Sequence, residues 1–479
     1  MEFYRGRIPI YTSVNEITKE NVAEVITKAM STHLFNAGQI KYLFEYERGK
    51  QEILNRTKDV RPEINNRIVE NHASEIVNFK VGYTWGQPIS YVQRANEDIS
   101  NSVVEGDNIV NVLNEMFFEE GKYHKDQQLA RQFTICGVGY RLITPKKDLN
   151  AISSFKITNL DPRNTFVIYH ADVFHEPMAG VTYWTDKDSN TRHYTVYTKT
   201  RVFVFSDFSG GVANPTDIQE SKNGIGAIPI IEYKNDDARM GAFERVLPLL
   251  EAINLCTSDR MNGLAQFIQS LLWFNDIDID SEQFQELRKE GGIATKTGSG
   301  GQNPILQYIK TELNQTEVQT LKDDLYAQVL QITGTPSRGQ SSGGNTGVAL
   351  MLGESGWQLA EENAQSSETL FAESEREVLK VVKNIVERAT NSKISKLSIA
   401  DIDIKFNRNK ISNLLNKTQA LSNLKAVGIN MRHAIKVVDL FSDPQQVYVD
   451  SKDTLDTLEK NAKEQTVLEK NNKKQGEET

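Results

Sequence analysis

Three aspartates alternate with isoleucine in Asp276-Ile277-Asp278-Ile279-Asp280, a cluster that could open a calcium loop or gather a divalent ion for hydrolysis. An EF-hand needs Gly at its sixth position and Glu at its twelfth, where this chain has Ser281 and Leu287. Alternation of Asp with Ile is instead the period-two pattern of a half-exposed strand, and Asp401 and Asp403 repeat it. Gly298-Ser299-Gly300-Gly301 is glycine-rich enough for a phosphate loop, but Gln302 and Asn303 follow and no lysine can reach a phosphate, which argues against an ATPase motor. The 7 histidines are dispersed, with no His-Glu-x-x-His helix and no Cys/His ligand spacing. His72 has no second His three or four residues away and reads as a packed or surface residue. Gly-x-Ser-x-Gly is absent. Cys136 and Cys256 lie far apart in apolar contexts and read as inert core thiols, which excludes a disulfide scaffold and points to a reducing cytoplasm. The residues therefore predict no catalytic constellation, no metal and no cofactor.

A helical frame must position whatever remains, and its most organised stretch covers residues 313–391. Val318, Leu321, Leu325, Val329 and Ile332 recur three or four apart and predict one apolar stripe. Gly334-Thr335-Pro336 stops that helix. The chain then passes Ser337-Arg338-Gly339-Gln340-Ser341-Ser342-Gly343-Gly344-Asn345-Thr346-Gly347, which has no bulky apolar residue to anchor it. From Val348 the helical pattern resumes through Leu359, Leu370, Phe371, Val378, Val381, Val382 and Ile385 to Ala389. At about 1.5 Å per residue this second helix is roughly 60 Å long, beyond an ordinary globular helix, and it implies support from outside the protomer. On composition alone the loop is either a flexible linker or a mobile loop at the inner edge of a ring, facing a polymer that slides past.

A chain of 479 residues holds two or three domains and a sizeable core. With 55 basic and 64 acidic residues the net charge is -9, which argues against a broad basic grip on nucleic acid. The N-terminus shows no signal pattern and no apolar run approaches the roughly 18 residues of a membrane span, so no membrane is expected.

In chain order, helices are predicted within 14–60 (Val22, Val25, Ile26, Met30, Leu34) and across 65–82 (Ile68, Val69, Ile76, Val77). A helix-then-strand unit spans 106–145, hinged at Gly137-Val138-Gly139-Tyr140. Phe155-Lys156-Ile157, Phe166-Val167-Ile168-Tyr169, Gly180 to Trp184, His193 to Tyr197 and Val202 to Phe205 read as an antiparallel sheet, and 223–235 as a further strand. A long helix covers 243–272, its true start placed near Leu247 by Pro248. A small α/β insertion follows at 273–312, with strands at Ile277-Asp278-Ile279, Ile293-Ala294-Thr295 and Ile305 to Tyr308 and a helix at 281–290. A strand at 397–406, helices at 410–427 and 430–441, and a disordered tail close the chain.

Several collinear segments resemble one family. Gly82-Tyr83-Thr84-Trp85-Gly86-Gln87-Pro88 after a helix, Gly137 to Tyr140, Leu160-Asp161-Pro162 before an apolar strand, the run Gly226-Ala227-Ile228-Pro229-Ile230-Ile231 closed by Tyr233-Lys234-Asn235, Ile332 to Pro336, and Gly344 to Leu350 resemble portal proteins of tailed bacteriophages, in the Gp6-like branch typical of siphophages of Gram-positive hosts. The resemblance covers most of 60–440. It implies an α+β, mostly helical protomer: wing 1–240, stem helix 241–272, clip 273–312, second stem helix 313–333, tunnel loop 334–347, long kinked tunnel helix with returning wing strand 348–409, and helical crown with tail 410–479. It also implies a homo-oligomeric ring, usually a dodecamer, at one capsid vertex of the virion. There it would conduct double-stranded DNA and dock terminase, major capsid protein, scaffolding protein and head-completion or adaptor proteins. On this resemblance Arg338, Gln340, Ser341, Ser342 and Asn345 are expected to face DNA, and Asp276, Asp278, Asp280, Glu286 and Lys296 to form the clip's docking surface. Two alternatives stay open from the residues: a helical head-interior or scaffolding protein without a channel, and a metal-dependent nuclease using the aspartate cluster.

Overall fold

Apolar residues at helical spacing and apolar residues at alternating spacing meet in two cores, and the elements that carry them follow in chain order. They are β1 (Ile10–Thr12), α1 (Val22–Glu47), α2 (His72–Thr84), β2 (Ser90–Gln93), α3 (Ile109–Glu119), α4 (Lys122–Cys136), β3 (Val138–Pro145), β4 (Phe155–Leu160), β5 (Thr165–His170), β6 (Pro177–Thr185), β7 (Arg192–Tyr197), β8 (Arg201–Asp207), β9 (Gln219–Lys222) and β10 (Ile230–Lys234). After these come α5 (Leu247–Ile268), β11 (Leu271–Asn275), β12 (Ile305–Ile309), α6 (Gln315–Thr333), α7 (Gly347–Arg388), β13 (Ile402–Lys405), α8 (Leu414–Ala426) and α9 (Met431–Val438). The protein is seen in a computed structural model that describes residues 6–59, 61–93, 109–146, 152–207, 217–268, 271–275, 282, 285, 305–309, 315–337, 347–388, 398–408, 414–438, 440–441, 447–448, 450–454 and 457. The chain forms two compact units, one of 1–41, 77–242 and 361–479 and a second of 42–76 and 243–360. The mixed α+β, mostly helical class expected from the sequence is the one observed.

In the first unit, Val22, Val25, Ile26, Ala29 and Met30 of α1 bury against Phe166, Ile168, Val181, Tyr194, Val196 and Phe203. Those strand residues belong to a six-stranded sheet of order β1-β5-β6-β7-β8-β9. As expected, β5 to β8 pair antiparallel, but the strand at Phe155 to Ile157 is β4 of the other sheet, and β1, which the sequence did not announce, runs parallel to β5 with Ile10 opposite Ile168. The second core unites α3, α4, a three-stranded sheet of order β10-β3-β4 and the C-terminal part of α7, through Leu113, Phe117, Phe133, Ile143, Phe155, Phe371, Val378 and Val382. Two helices, not one, precede β3, since the chain turns at Gly121 with φ 61. Gly137 joins α4 to β3 at φ +86, where an added Cβ would stand 2.0 Å from the carbonyl oxygen of Arg239, so only glycine fits. The expected strand over 223–235 shortens to β10, because Asn223 folds the preceding residues into a turn: its Nδ2 donates to the carbonyls of Thr198 (2.6 Å) and Ala227 (2.8 Å), and its Oδ1 accepts from Ile225 N at 3.0 Å. The expected returning strand is β13, paired antiparallel with β2.

In the second unit α5 begins at Leu247, as Pro248 requires, and packs on α6. The expectation of a helix already at Ile68 and Val69 is overturned: α2 begins at His72, and the residues before it lie extended on α5. Asn262 Oδ1 accepts from Asn66 N at 2.6 Å, Ser258 Oγ from Ile68 N at 2.9 Å, and Asn254 Oδ1 from Glu70 N at 2.8 Å. Four helical residues rise about 6.0 Å and two extended residues about 6.6 Å, so polar side chains four apart on a helix meet alternate amides of a strand. Each of these half-buried N–H groups finds its partner in a side chain, and helix formation is not needed to satisfy it. The long helix is shorter than expected: α5 ends at Ile268, and Leu271–Asn275, whose first two residues fall within the expected helix, form β11 paired with β12, Leu271 opposite Ile309. The readings at Ile277 to Ile279, Ile293 to Thr295 and the tail beyond 457 lie outside the described residues, as does nearly all of the helix at 281–290. α7 is one unbroken helix of 42 residues.

Candidate functional site

Arg338, Gln340, Ser341, Ser342 and Asn345 lie outside the described residues, as do Asp276, Asp278, Asp280, Glu286 and Lys296. What the structure does show is the machinery that holds α7, the helix that follows the loop in sequence. Its centre is Glu375, whose side chain is fully buried. Glu375 Oε1 accepts from Arg141 at 2.9 Å and from the Tyr233 hydroxyl at 2.7 Å, while Oε2 accepts from the Tyr91 hydroxyl at 2.6 Å and lies 3.2 Å from Lys122 Nζ. Asp126 completes the set, bound by Arg141 at 2.6 Å and by Lys122 at 2.8 Å.

Each member arrives by ordinary local geometry. Lys122 and Asp126 share a face of α4 by their four-residue spacing. Arg141 lies on the face of β3 that alternation also gives to Ile143, and it is as buried as that isoleucine. Two cations and two carboxylates make the cluster neutral, the condition under which burial of charge is tolerable. Lys122 Nζ also lies 5.4 Å from the ring centres of both Tyr91 and Phe117, which favours the ammonium over a dry site. Burial alone would push the Glu375 carboxyl up, but Lys122 and Arg141, helped by the Tyr233 and Tyr91 hydroxyls, outweigh it and hold the carboxyl below its ordinary value. Burial drives the Tyr91 hydroxyl well above its usual range, and Glu375 and Asp126 add to the effect, so it stays a donor. A saturated, neutral, closed cluster of this kind has no open valence for a substrate. Its chemistry is to fix a helix against a sheet.

A second set of contacts lies further toward the N-terminus of the same helix. Arg408, just beyond β13, forks onto both oxygens of Glu368 at 2.6 Å and 2.5 Å, and it also pairs with Glu361. The Tyr83 hydroxyl of α2 donates to Glu361 at 2.8 Å. Ser374 Oγ donates to the Glu232 carbonyl of β10 at 2.9 Å.

The other residues singled out by chemistry are accounted for. His72 is bracketed by Glu75 at 2.9 Å and Glu70 at 3.2 Å and packs on the Tyr326 ring, a packed histidine as expected. Asp403 sits in β13 opposite Val92, in the half-exposed strand its spacing predicted, whereas Asp401 closes the 3-10 turn Ile399–Asp401 before that strand and is not part of it. Cys136 is buried, its Sγ donating to the Val138 carbonyl at 3.1 Å. Cys256 is half-exposed on α5, next to exposed Leu255, and so is not the core thiol expected. Among the described residues, no group of three or more His, Cys, Asp or Glu could hold a metal ion.

Residues 31–470, which take in the long helix and the core it joins, match the family model for phage portal protein, SPP1 Gp6-like. The chain belongs to the SPP1 Gp6-like phage portal family. The portal protein of Bacillus phage SPP1 is 20% identical over 360 residues, covering 71% of this chain and 67% of that protein. Every residue of both carboxylate sets lies within the span that matches the portal family. Sequence reasoning missed these sets. The signals were an arginine on the core-facing alternation of a strand and glutamates seven apart, at 361, 368 and 375, in an otherwise amphipathic helix.

Proposed function

We propose that the protein assembles as a ring, a dodecamer in the head, around an axial channel at the unique capsid vertex, through which double-stranded DNA is packaged and later ejected. The observation that carries this reading is the portal family match over 31–470, nearly the whole chain. The helices of the second unit support it. α5 exposes Leu255, Met261 and Leu264, and α6 exposes Leu321 and Ile332, each more than two-fifths accessible. Apolar side chains exposed in series on two helices call for cover, and a neighbouring copy in a ring provides it. The net charge of -9 suits a conduit that must not bind its cargo tightly.

In this reading 1–240 is a wing, α5 and α6 are stem helices, 273–312 is the clip and α7 the tunnel helix, with the crown beyond 410. Arg338 meets phosphate in passing, with Gln340, Ser341, Ser342 and Asn345 beside it. Asp276, Asp278, Asp280, Glu286 and Lys296 present the docking face to terminase and then to head-completion proteins. Major capsid and scaffolding proteins are the other partners, and the protein is a structural conduit, not an enzyme. Among the described residues no helix is long and apolar enough to cross a membrane. Microscopy of the purified protein tests the reading. A ring with a central hole is expected, whereas a helical particle without a hole would favour a scaffolding role.

A further inference from the structure

The apolar stripe of α7 repeats every seven residues. Ala364, Phe371, Val378 and Ile385 are all buried, and so are Val381 and Val382. A seven-residue repeat has a known weakness: a helix moved by one repeat, about 10.5 Å, offers much the same face to its groove. Apolar packing alone therefore discriminates poorly between registers. Buried polar groups discriminate strongly, and register selection is the best-attested reason to keep them.

Among the described side chains, three carboxylates on this helix follow the same spacing. Glu361, Glu368 and Glu375 stand at intervals of seven on one face, and each is held by groups from other elements: Tyr83 and Arg408 hold Glu361, Arg408 holds Glu368, and Arg141, Lys122, Tyr91 and Tyr233 hold Glu375. The series ends at the next position, where Val382 is fully buried in the apolar core. A slip by one repeat toward the C-terminus carries Glu375 into the place of Val382, a carboxylate with no cation. The opposite slip brings Val382 to Arg141 and Lys122, two buried cations deprived of one of their two carboxylates. Either way a charge is buried unpaired.

We infer that Glu361, Glu368 and Glu375 are positioning residues that lock α7 in one axial register. They thereby fix where the segment immediately before it, proposed to face DNA, is held. The second half of that statement rests on the channel reading. The first does not.

The test uses spin labels at Lys156→Cys of β4 and Lys380→Cys of α7, both exposed, in the full-length chain with Cys256→Ser, assembled with excess unlabelled chain. The parent should give one narrow distance. The variant Lys122→Met/Asp126→Leu/Arg141→Met/Glu375→Leu removes the charges while keeping apolar bulk. It should stay helical yet show a second population displaced by several ångströms, amounting to a tenth or more of the molecules. If it folds with a single native distance, the register lock is wrong. Should it not fold, Glu361→Gln/Glu368→Gln, altering the more accessible end of the series, is read by the same criterion. Heads built with the displaced variant should retain several-fold less packaged DNA. A displaced population with unchanged retention overturns the link to the DNA-facing segment, while rings lacking a channel overturn the portal reading and leave the distance result standing.

Discussion

Replacing Glu375 with alanine should be among the most damaging single changes in the chain. The side chains of Lys122 and Arg141 are 4% and 0% exposed, and Asp126 would remain their only carboxylate, so the cluster passes from neutral to a net buried positive charge. Breaking a buried ion pair from one side costs about 3–5 kcal/mol. The hydroxyls of Tyr91 and Tyr233 also lose their acceptor, each worth about 1–3 kcal/mol if left unsatisfied, although water entering the vacated space recovers part of this. The sum is about 5 kcal/mol for Glu375→Ala. Urea unfolding followed by tryptophan fluorescence reads this core directly, since Trp85 is buried with its ring 4.4 Å from Phe371, four residues from Glu375. The partner experiment is Lys122→Met/Glu375→Leu, which returns the cluster to neutrality with one cation and one carboxylate. It should recover more than half of the loss, as expected for coupled charges. A cost below about 1 kcal/mol for Glu375→Ala, or a double variant no more stable than the single one, would refute the claim that charge balance holds this core together.

Other outcomes follow from single contacts. Burial lowers the His33 imidazole to about 4 from its ordinary 6.5, with Nε2 held by the Arg163 carbonyl at 3.0 Å. The unfolded chain takes up this proton below about 6.5 and the folded chain only near 4, so stability should fall as pH drops through that window, by about 3 kcal/mol in full. His33→Gln should flatten that part of the pH–stability curve, and an unchanged slope counts against the assignment. Ser258→Ala leaves the amide of Ile68 without its acceptor and should cost about 1–3 kcal/mol in thermal unfolding. An effect within a few tenths of a kilocalorie would show that the side-chain ladder on α5 is dispensable. Arg338→Ala should leave assembly intact while changing the length or retention of packaged DNA, and Arg338→Glu should impair both further by repulsion. Indistinguishable heads would remove Arg338 as a DNA contact.

Much of the architecture was legible because period and punctuation agree. The apolar spacing of α1 and α7, the start of α5 at Pro248 and the strands from Phe155 to Phe205 all follow from local pattern. Failures came where a distant partner overrules that pattern. Ile68 and Val69 look helical, but Asn254, Ser258 and Asn262, nearly two hundred residues away, satisfy an extended backbone. The parallel pairing of β1 with β5 depends on where a three-residue strand lands, which no short-range signal encodes. The cluster around Glu375 draws Lys122, Asp126 and Arg141 from over two hundred residues upstream, and each alone reads as an ordinary charged residue. The family resemblance carried the functional reading, because the portal motifs are collinear over most of the chain even where no single motif is specific.

In the proposed function, copies of this chain close into a ring around a hole wide enough for duplex DNA. Single-particle electron microscopy of the purified full-length protein, paired with sedimentation across a range of salt concentrations, tests it most directly. End-on views with a central channel and rotational symmetry are expected, together with a sedimenting species of many subunits. A well-folded monomer that persists at high concentration in several salts, or a closed particle with no axial opening, would contradict it.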